Sequence, residues 1–187
     1  MTLWLVRHAP VLLAPGCCYG ALDVAADAAA TSAAALALAD VLPKGLRVST
    51  SPLQRCEQLA QALHGLRPDL MLASDARLRE MNFGSWEGRR WDAIAQSEFD
   101  AWTADFAGHA VGDHGETVHA VMTRVGEAFD ELRDDADAVW ITHAGIIRAA
   151  QLLAQGIRQI ERADQWPLDA TACGQWRTLA LSLKHSR

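Results

Sequence analysis

Short apolar runs alternate along the chain with longer segments that favour helix. The predicted strands are residues 3–6, 46–50, 70–73, 138–142 and 176–183, and the predicted helices are residues 28–42, 52–64, 91–106, 116–133 and 145–155. This alternation is typical of a largely parallel sheet that is covered by helices on both faces. The sequence therefore predicts an α/β fold, a three-layer α/β/α sandwich, formed by residues 1–187 as one domain.

Arginine and histidine side chains follow three of these apolar runs. Arg7 and His8 end the first run, Arg55 lies one turn into the helix after the second, and His143 follows the run 138–142. Ligands of parallel sheets bind beyond the carboxyl ends of the strands, so these four side chains are expected to meet at one edge. Two guanidinium groups and nearby helix N-termini match the oxygens of a tetrahedral dianion. The pattern therefore predicts a phosphate site.

Composition and charge exclude several classes of protein. Half of the 187 residues are apolar, which is enough for a core that needs neither a disulfide nor a metal. The net charge of −6, without any basic run, argues against binding to nucleic acid or to a membrane surface. No segment is long and apolar enough to span a bilayer, and the N-terminus lacks the basic region of a signal peptide. Four cysteines in no zinc-binding pattern are expected to be reduced thiols of a cytoplasmic protein; the oligomeric state is not indicated.

Four motifs, in order along the chain, resemble those of the histidine phosphatase superfamily, the phosphoglycerate mutase-like clan. They are Leu5-Val6-Arg7-His8, Thr50-Ser51-Pro52-Leu53-Gln54-Arg55, Glu80-Met81-Asn82-Phe83-Gly84-Ser85-Trp86-Glu87-Gly88 and Thr142-His143-Ala144-Gly145. The resemblance implies a phosphoglycerate mutase-like fold. It also implies a phosphomonoesterase that acts on a small-molecule phosphate ester through a phosphohistidine, without a metal or another cofactor.

The same resemblance implies a role for each residue of the predicted site. His8 is the nucleophile, Glu80 is the general acid, and Arg7, Arg55 and His143 bind the phosphoryl group. These roles agree with the chemistry, because phosphoryl transfer needs mainly positioning and compensation of charge. His8 must be neutral to attack, and Glu80 must hold a proton for the leaving oxygen.

A short segment after the first strand bears on the substrate. Cys18-Tyr19-Gly20 with Asp23 resembles a segment of the α-ribazole phosphatase-like branch, which implies α-ribazole 5′-phosphate of cobalamin biosynthesis as substrate, with Tyr19 and Gly20 in contact with it. The same residues fit equally well a tight turn at Gly20 followed by Asp23 as the cap of the next helix.

Further residues have a functional and a structural interpretation. Trp86 could line the mouth of the pocket, and Glu116 could contact substrate or simply provide an acidic first turn of a helix. Glu87 and Asp75 are the neighbouring carboxylates that could replace Glu80 as the acid. The histidines at every fifth position from 109 to 119 do not share a helix face, which favours loop residues over a metal cluster.

The match also has departures, and it leaves alternatives. Ala9-Pro10-Val11 stands where many members have a glycine and then a hydroxyl residue, which weakens the expected polar support for phosphate.

One alternative is a cofactor-dependent phosphoglycerate mutase-type phosphotransferase, although that branch usually has a longer chain. A non-catalytic phosphate- or phosphopeptide-binding protein is a second. A metallohydrolase is a third, but a His-x-Asp motif is lacking.

Overall fold

The core of the protein is a mixed sheet in which four neighbouring strands are parallel. The structure, a computed structural model, describes residues 1–133 and 136–182. Within them the five strands lie in the order β3-β2-β4-β1-β5, with β5 antiparallel to β1. The strands are β1 (Thr2–Arg7), β2 (Arg47–Thr50), β3 (Met71–Ser74), β4 (Ala138–Thr142) and β5 (Trp176–Ala180). The prediction of an α/β fold with a largely parallel sheet is confirmed.

Helices cover both faces of this sheet. They are α1 (Ala28–Val41), α2 (Gln54–Leu66), α3 (Gln96–Ala104), α4 (Val118–Asp130) and α5 (Ala144–Ala154). α1 and α2 bury one apolar cluster with Val48 and Ile141 of the sheet, and α4 and α5 bury a second cluster with Leu5 and Trp140. Side chains of β4 thus alternate between the two cores, as expected for a strand buried on both sides. Among the described residues, no helix combines the length and the apolar character that a membrane crossing requires.

The register of the sheet brings the ends of three strands together. Arg7 at the end of β1 pairs with Thr142 at the end of β4. The ladder extends by one residue, because the amide of His8 donates to the carbonyl of Thr142 (3.1 Å) and that of Ser51 to the carbonyl of Ile141 (3.0 Å). The residues that follow β1, β2 and β4 therefore emerge side by side at one edge.

The prediction of a single helix over residues 91–106 is wrong. The structure has a 3₁₀ turn at Trp91–Ala93 and then α3, which begins at Gln96. Between them the chain turns to bury Ile94 in the core. The Glu98 carboxylate then accepts the amide of Ala95 (3.4 Å) and closes the new N-terminus.

The predicted start of α2 at Pro52 is also displaced. The helix begins at Gln54, with Leu53 in the cap position. The Ser51 hydroxyl accepts the amide of Leu53 (3.3 Å), which holds the chain in a turn before the helix. Pro52 thus belongs to this turn and not to the first turn of the helix.

Asp23 does not cap the next helix along the chain, as one interpretation of its segment predicted. Asp27 caps α1, accepting the amide of Ala30 (2.7 Å). The Asp23 carboxylate instead accepts the amide of Gln54 (2.8 Å) at the start of α2. The loop after β1 is thereby fastened to the helix that carries Arg55.

Two other predicted elements are shorter in the structure. The last strand, predicted over 176–183, ends at Ala180, and residue 183 lies outside the described residues. The helix predicted over 116–133 begins at Val118, because the Thr117 side chain accepts the amide of Ala120 (3.0 Å) and caps it.

Candidate active site

His8 follows β1 directly, and its ring presents one nitrogen lone pair. The residue is 2% exposed, and Nδ1 lies 2.7 Å from the carbonyl oxygen of Ala9. A carbonyl oxygen only accepts hydrogen bonds, so Nδ1 carries the ring proton and Nε2 is unprotonated. An unprotonated Nε2 is the form of histidine that can attack phosphorus.

Burial and charge keep this imidazole neutral. Burial lowers the pKa of His8 to about 3, and the guanidinium groups of Arg55 and Arg7 lower it as well, against the opposing hydrogen bond to Ala9. A positive charge on the ring would be costly away from water and beside two cations. His8 is therefore deprotonated, and able to act as a nucleophile, throughout the neutral pH range.

Arg55, in the first turn of α2, is completely buried at the centre of the site. Its Nη2 donates to the carbonyl of Gly20 (2.6 Å), Nη1 to that of Leu22 (2.9 Å) and Nε to Nδ1 of His143 (3.3 Å). A guanidinium has five N–H groups, so one remains on each Nη for a phosphate oxygen. The guanidinium carbon also lies 5.3 Å from the centre of the Tyr19 ring, a cation–π contact.

His143 is the cap residue of α5, and its neighbours define its tautomer. Arg55 can only donate to Nδ1, so the ring proton is on Nε2, which donates to the Ser51 hydroxyl at 2.8 Å. Burial holds the pKa of His143 well below its usual value, and the charge of Arg55 acts in the same direction. The His143 ring centre lies 5.2 Å from that of His8, so the two neutral imidazole rings are neighbours in the site.

Arg7 brings a buried donor that nothing in the described protein satisfies. Its Nη1 donates to the carbonyl of Thr171 (2.9 Å), whereas its buried Nε has no hydrogen-bond partner among the described residues. A buried donor without a partner costs about 1–3 kcal/mol. A phosphate oxygen is a ligand atom that would satisfy it, which agrees with the predicted role of Arg7.

Glu80 is held at the N-terminus of α5 by two backbone donors. The amide of Met81 donates to Oε1 (3.0 Å) and that of Gly145 to Oε2 (3.1 Å). A Cβ atom at position 145 would collide with Oε1 of Glu80, so a larger residue there would displace the Glu80 carboxyl group from its present position. The carboxyl group is thereby placed at the start of α5, the helix that His143 caps.

The two rival carboxylates have structural partners. Glu87 accepts four backbone amides, at 2.9–3.0 Å, which join two loops: those of Gly20, Ala21, Leu22 and Phe83. Asp75 forms an ion pair with Arg77 (2.8 Å). Among the three carboxylates considered for the acid, Glu80 is the one hydrogen-bonded at the N-terminus of α5, the helix that His143 caps.

Trp86 and Glu116 are not placed as residues that contact substrate would be. Trp86 is 1% exposed within the core, and its indole N–H donates to Glu98 (2.6 Å), so the expectation that it lines the pocket mouth is corrected. Glu116 pairs with Arg124 (2.8 Å) and accepts the amide of Asn82 (3.0 Å). Its carboxylate thus supports the loop after Glu80 and is engaged within the protein.

Tyr19 and Gly20 do lie at the site. The Tyr19 ring stands edge-on to His8, with ring centres 6.3 Å apart. The carbonyl of Gly20 orients Arg55, and a Cβ at position 20 would collide with the carbonyl oxygen of Met81. The absence of a side chain at Gly20 therefore lets the loop after β1 pack against the loop that carries Glu80.

The structure adds two groups that the sequence did not single out. The Ser51 hydroxyl sets the tautomer of His143, and the Thr171 carbonyl orients Arg7. Ser51 stood within a recognised motif and could have been noticed there. Nothing local marks Thr171, which lies 164 residues from its partner.

The segment that departs from the family pattern has its own backbone partners. The carbonyl of Pro10 accepts the amide of Asp27 (2.7 Å), and the amide of Leu12 donates to the carbonyl of Ala25 (2.9 Å). Val11 forms an isolated bridge with Ala26 in the same place. The backbone of this segment thus pairs with residues 25–27.

Acidification is expected to destabilise the fold between about pH 6.5 and pH 3. The pKa of His8 is about 3 in the folded protein against 6.5 when exposed, so in this range the unfolded chain binds more protons. The free energy of unfolding then falls with pH by up to about 1.4 kcal/mol per unit for each such histidine. Urea unfolding at a series of pH values measures this slope. His8→Asn is expected to reduce it, whereas the exposed-site control His64→Asn leaves it unchanged; equal slopes in wild type and His8→Asn would contradict the assignment.

Comparisons with known proteins agree with this geometry. The profile described as "Histidine phosphatase superfamily (branch 1)" matches residues 3–177. The crystal structure of TTHB049 from Thermus thermophilus superposes with a TM-score of 0.73 at 29% identity, covering 96% of this chain and 93% of that one. A mycobacterial glucosyl-3-phosphoglycerate phosphatase superposes with a TM-score of 0.77 at 25% identity, covering 95% and 88%. No curated protein matches the chain at a significant level.

Proposed function

Because the chain belongs to branch 1 of the histidine phosphatase superfamily, we propose that it hydrolyses a small-molecule phosphate monoester at the site formed by His8, Arg7, Arg55, His143 and Glu80. The observation that carries this proposal is the neutral His8 with an unprotonated Nε2, adjacent to arginine donors that are still unused. The family profile matches residues 3–177, which supports one catalytic domain over residues 1–187.

In the first step, Nε2 of His8 forms a bond to phosphorus while the bond from phosphorus to the ester oxygen breaks. Glu80 gives its proton to that oxygen, which leaves as an alcohol. Arg7 and Arg55 compensate the charge on the phosphoryl oxygens, and His143 holds Arg55 through its Nε. The product of this step is a phosphohistidine together with an ionised Glu80.

In the second step, water attacks the phosphohistidine. The Glu80 carboxylate takes a proton from the water as the oxygen bonds to phosphorus, and the bond from phosphorus to His8 breaks. Inorganic phosphate leaves, and both residues return to their initial protonation states. One carboxyl group therefore serves both steps, as acid and then as base.

Hydrolysis is expected to proceed without a divalent cation. The two guanidinium groups supply the positive charge that a metal supplies in other phosphatases. Dialysis against a chelator should leave the rate unchanged, and vanadate, which imitates five-coordinate phosphorus, should inhibit well below the KM of the substrate. Loss of activity on chelation, with recovery by one added divalent cation, would overturn this part of the proposal.

Our leading candidate for the substrate is α-ribazole 5′-phosphate, in a cytoplasmic protein of cobalamin biosynthesis. The placement of Tyr19 and Gly20 beside His8 and Arg55 supports it, since these residues carry the resemblance to that branch. The four free cysteines are consistent with a reducing compartment. Glucosyl-3-phosphoglycerate is the second candidate, because one similar structure is a phosphatase of that compound.

A turnover screen over many phosphate monoesters, with chelator present, tests the proposal. It includes α-ribazole 5′-phosphate, glucosyl-3-phosphoglycerate, 3-phosphoglycerate and 4-nitrophenyl phosphate, with release of inorganic phosphate as readout. Hydrolysis with the highest kcat/KM for α-ribazole 5′-phosphate is the expected result. Isomerisation of 3-phosphoglycerate instead would identify a mutase-type phosphotransferase, and binding without turnover of any ester would identify a non-catalytic protein.

A further inference from the structure

An aromatic cavity of about 260 Å³ adjoins the acid. Five rings line it: Phe83, Trp91, Trp102, Phe106 and Trp166. They pack against one another, with Phe83 and Trp91 edge to face at 5.5 Å, Trp102 and Phe106 at 5.1 Å, and Phe106 and Trp166 at 6.3 Å between ring centres. The cavity thus has aromatic walls that already contact each other.

The cavity begins at Glu80, the residue proposed to protonate the leaving group. Glu80 and Gly145, which are hydrogen-bonded to each other, both belong to its lining. The ester oxygen must lie beside Glu80 to receive its proton, so the alcohol part of the substrate extends from that point. The aromatic cavity is therefore in the position that the leaving alcohol must occupy or pass.

Two polar atoms of the lining lack partners. Trp102 Nε1 and Arg148 Nε are buried, and neither has a hydrogen-bond partner among the described residues. Both atoms are donors only. The lining residues also include Glu80, which brings a carboxyl group, and Trp91 and Trp166, which bring further indole N–H donors. Burial lowers the pKa of Arg148, and the charge of Glu80 opposes this shift. A ligand that fits this cavity would thus be largely apolar and would carry a hydrogen-bond acceptor atom.

We propose that the aromatic cavity binds the leaving group, and that the substrate is the phosphate ester of an alcohol that carries a flat aromatic ring with a hydrogen-bond acceptor. The inference rests on the proposed phosphatase function and adds the chemical class of the alcohol. A ring gains by packing on tryptophan and phenylalanine faces, and its acceptor atom pairs with the N–H of Arg148.

A polyhydroxylated alcohol fits the same cavity less well. Each hydroxyl brings one donor and two acceptor sites that need partners when buried. The lining is mainly aromatic and aliphatic, and its polar side-chain groups are one carboxyl, one guanidinium and indole N–H donors, so most hydroxyls of a sugar would lose their hydrogen bonds to water. The cavity therefore favours an aromatic alcohol over a sugar or a polyol.

A series of alkyl phosphates tests this preference with similar leaving-group chemistry. Ethyl, benzyl and 2-naphthylmethyl phosphate all release a primary alcohol, so differences in kcat/KM report mainly on the group that the protein binds. We expect kcat/KM to rise by at least about tenfold from ethyl to 2-naphthylmethyl phosphate, because of the apolar area buried. Glycerol 3-phosphate should do no better than ethyl phosphate.

Variants of the lining connect the preference to this cavity. Val121 lines it from α4 and is 1% exposed, so Val121→Phe should fill it. Trp166→Leu should remove one wall, from a partly buried position. Each should reduce the naphthylmethyl-to-ethyl ratio of kcat/KM several-fold. The matched control Trp176→Leu, in the cluster on the other face of the sheet, should leave the ratio unchanged.

Substitution of Arg148 tests the proposed hydrogen bond to the acceptor atom of the substrate ring. At mildly alkaline pH, where a quinoline nitrogen is uncharged, one of the isomeric quinolinylmethyl phosphates should exceed 2-naphthylmethyl phosphate in kcat/KM. Arg148→Met, which keeps the apolar stem, should abolish this advantage while the naphthyl-to-ethyl ratio stays high. An advantage that persists in Arg148→Met would assign the acceptor contact to another donor and overturn this part.

The outcomes distinguish a failure of the aromatic-cavity proposal from a failure of the proposed phosphatase function. If 4-nitrophenyl phosphate and all the alkyl esters are left intact, the phosphatase proposal itself fails. If all are hydrolysed with equal kcat/KM, or if glycerol 3-phosphate is preferred, the phosphatase stands and the aromatic cavity does not select the substrate. A ring preference that survives both Val121→Phe and Trp166→Leu would place the binding surface outside this cavity.

Discussion

His8→Ala is expected to abolish turnover while leaving the fold intact. The substitution removes the Nε2 that forms the covalent intermediate, so the two-step route through a phosphohistidine is lost. Residues that act as one catalytic unit fail together, and the rate should therefore fall by more than about 10³-fold. Steady-state hydrolysis of 4-nitrophenyl phosphate measures the loss, and circular dichroism checks the fold.

Trapping of the intermediate makes this prediction specific. Rapid quenching with a ³²P-labelled ester should yield protein-bound label that is labile to acid and stable to base in wild type, and none in His8→Ala. His64→Ala, at an exposed position of α2, is the matched histidine control and should retain both label and rate. A His8→Ala protein that turns over at nearly the wild-type rate would refute His8 as the nucleophile.

Glu80→Gln is expected to slow hydrolysis selectively, according to the leaving group. Glutamine keeps the shape of the side chain but has no proton to transfer. An alkoxide is a poor leaving group, so the rate on an alkyl or sugar phosphate should fall by about 10²–10⁴-fold. A nitrophenolate leaves without assistance, so the rate on 4-nitrophenyl phosphate should fall much less. The ratio of the two losses, from kcat/KM on each substrate, is the measurement.

Gly145→Ala should reproduce this selectivity without touching Glu80 itself. The added Cβ would collide with Oε1 of Glu80, and a displacement of about 1 Å can cost about 10²-fold in rate. Alanine favours helix more than glycine does, so thermal unfolding should show no loss of stability from α5. Equal losses on both substrates in Glu80→Gln would indicate a binding or structural role, and selective losses in Glu87→Gln instead would transfer the acid to Glu87.

Local patterns were enough to predict the fold class and to group the residues of the candidate site. Three strands were recognisable as short apolar runs, at residues 3–6, 70–73 and 138–142, and the last was recognisable by its alternation. The order of the elements implies parallel strands with helices on both faces. Once strands are parallel, the residues after β1, β2 and β4 must share an edge, which is why Arg7, His8 and His143 could be grouped before their distances were known. Because guanidinium groups match the oxygens of a tetrahedral dianion, these residue types then predicted a phosphate site.

Predictions about single side chains were weaker, because their outcome depends on partners far along the chain. Trp86 lies in a motif but is buried by rings of α3, and Glu87 is occupied by backbone amides 65–67 residues away. Asp23 binds the start of α2 and not that of α1, since the loop after β1 folds back on that helix. Helix propensity and capping patterns describe neighbours in sequence and contain no information about such contacts.

The sequence by itself therefore determined the architecture, the edge of the sheet at which the candidate site lies, and the kinds of side chain gathered there. Only the tertiary structure decided which nitrogen of His8 and of His143 carries the proton, and which donors of Arg7 and Arg55 remain unused. It also decided that five rings from separate segments enclose a cavity beside Glu80. The physical reason is that these properties arise from hydrogen bonds and packing between residues that the chain brings together only on folding, whereas strand and helix patterns are local.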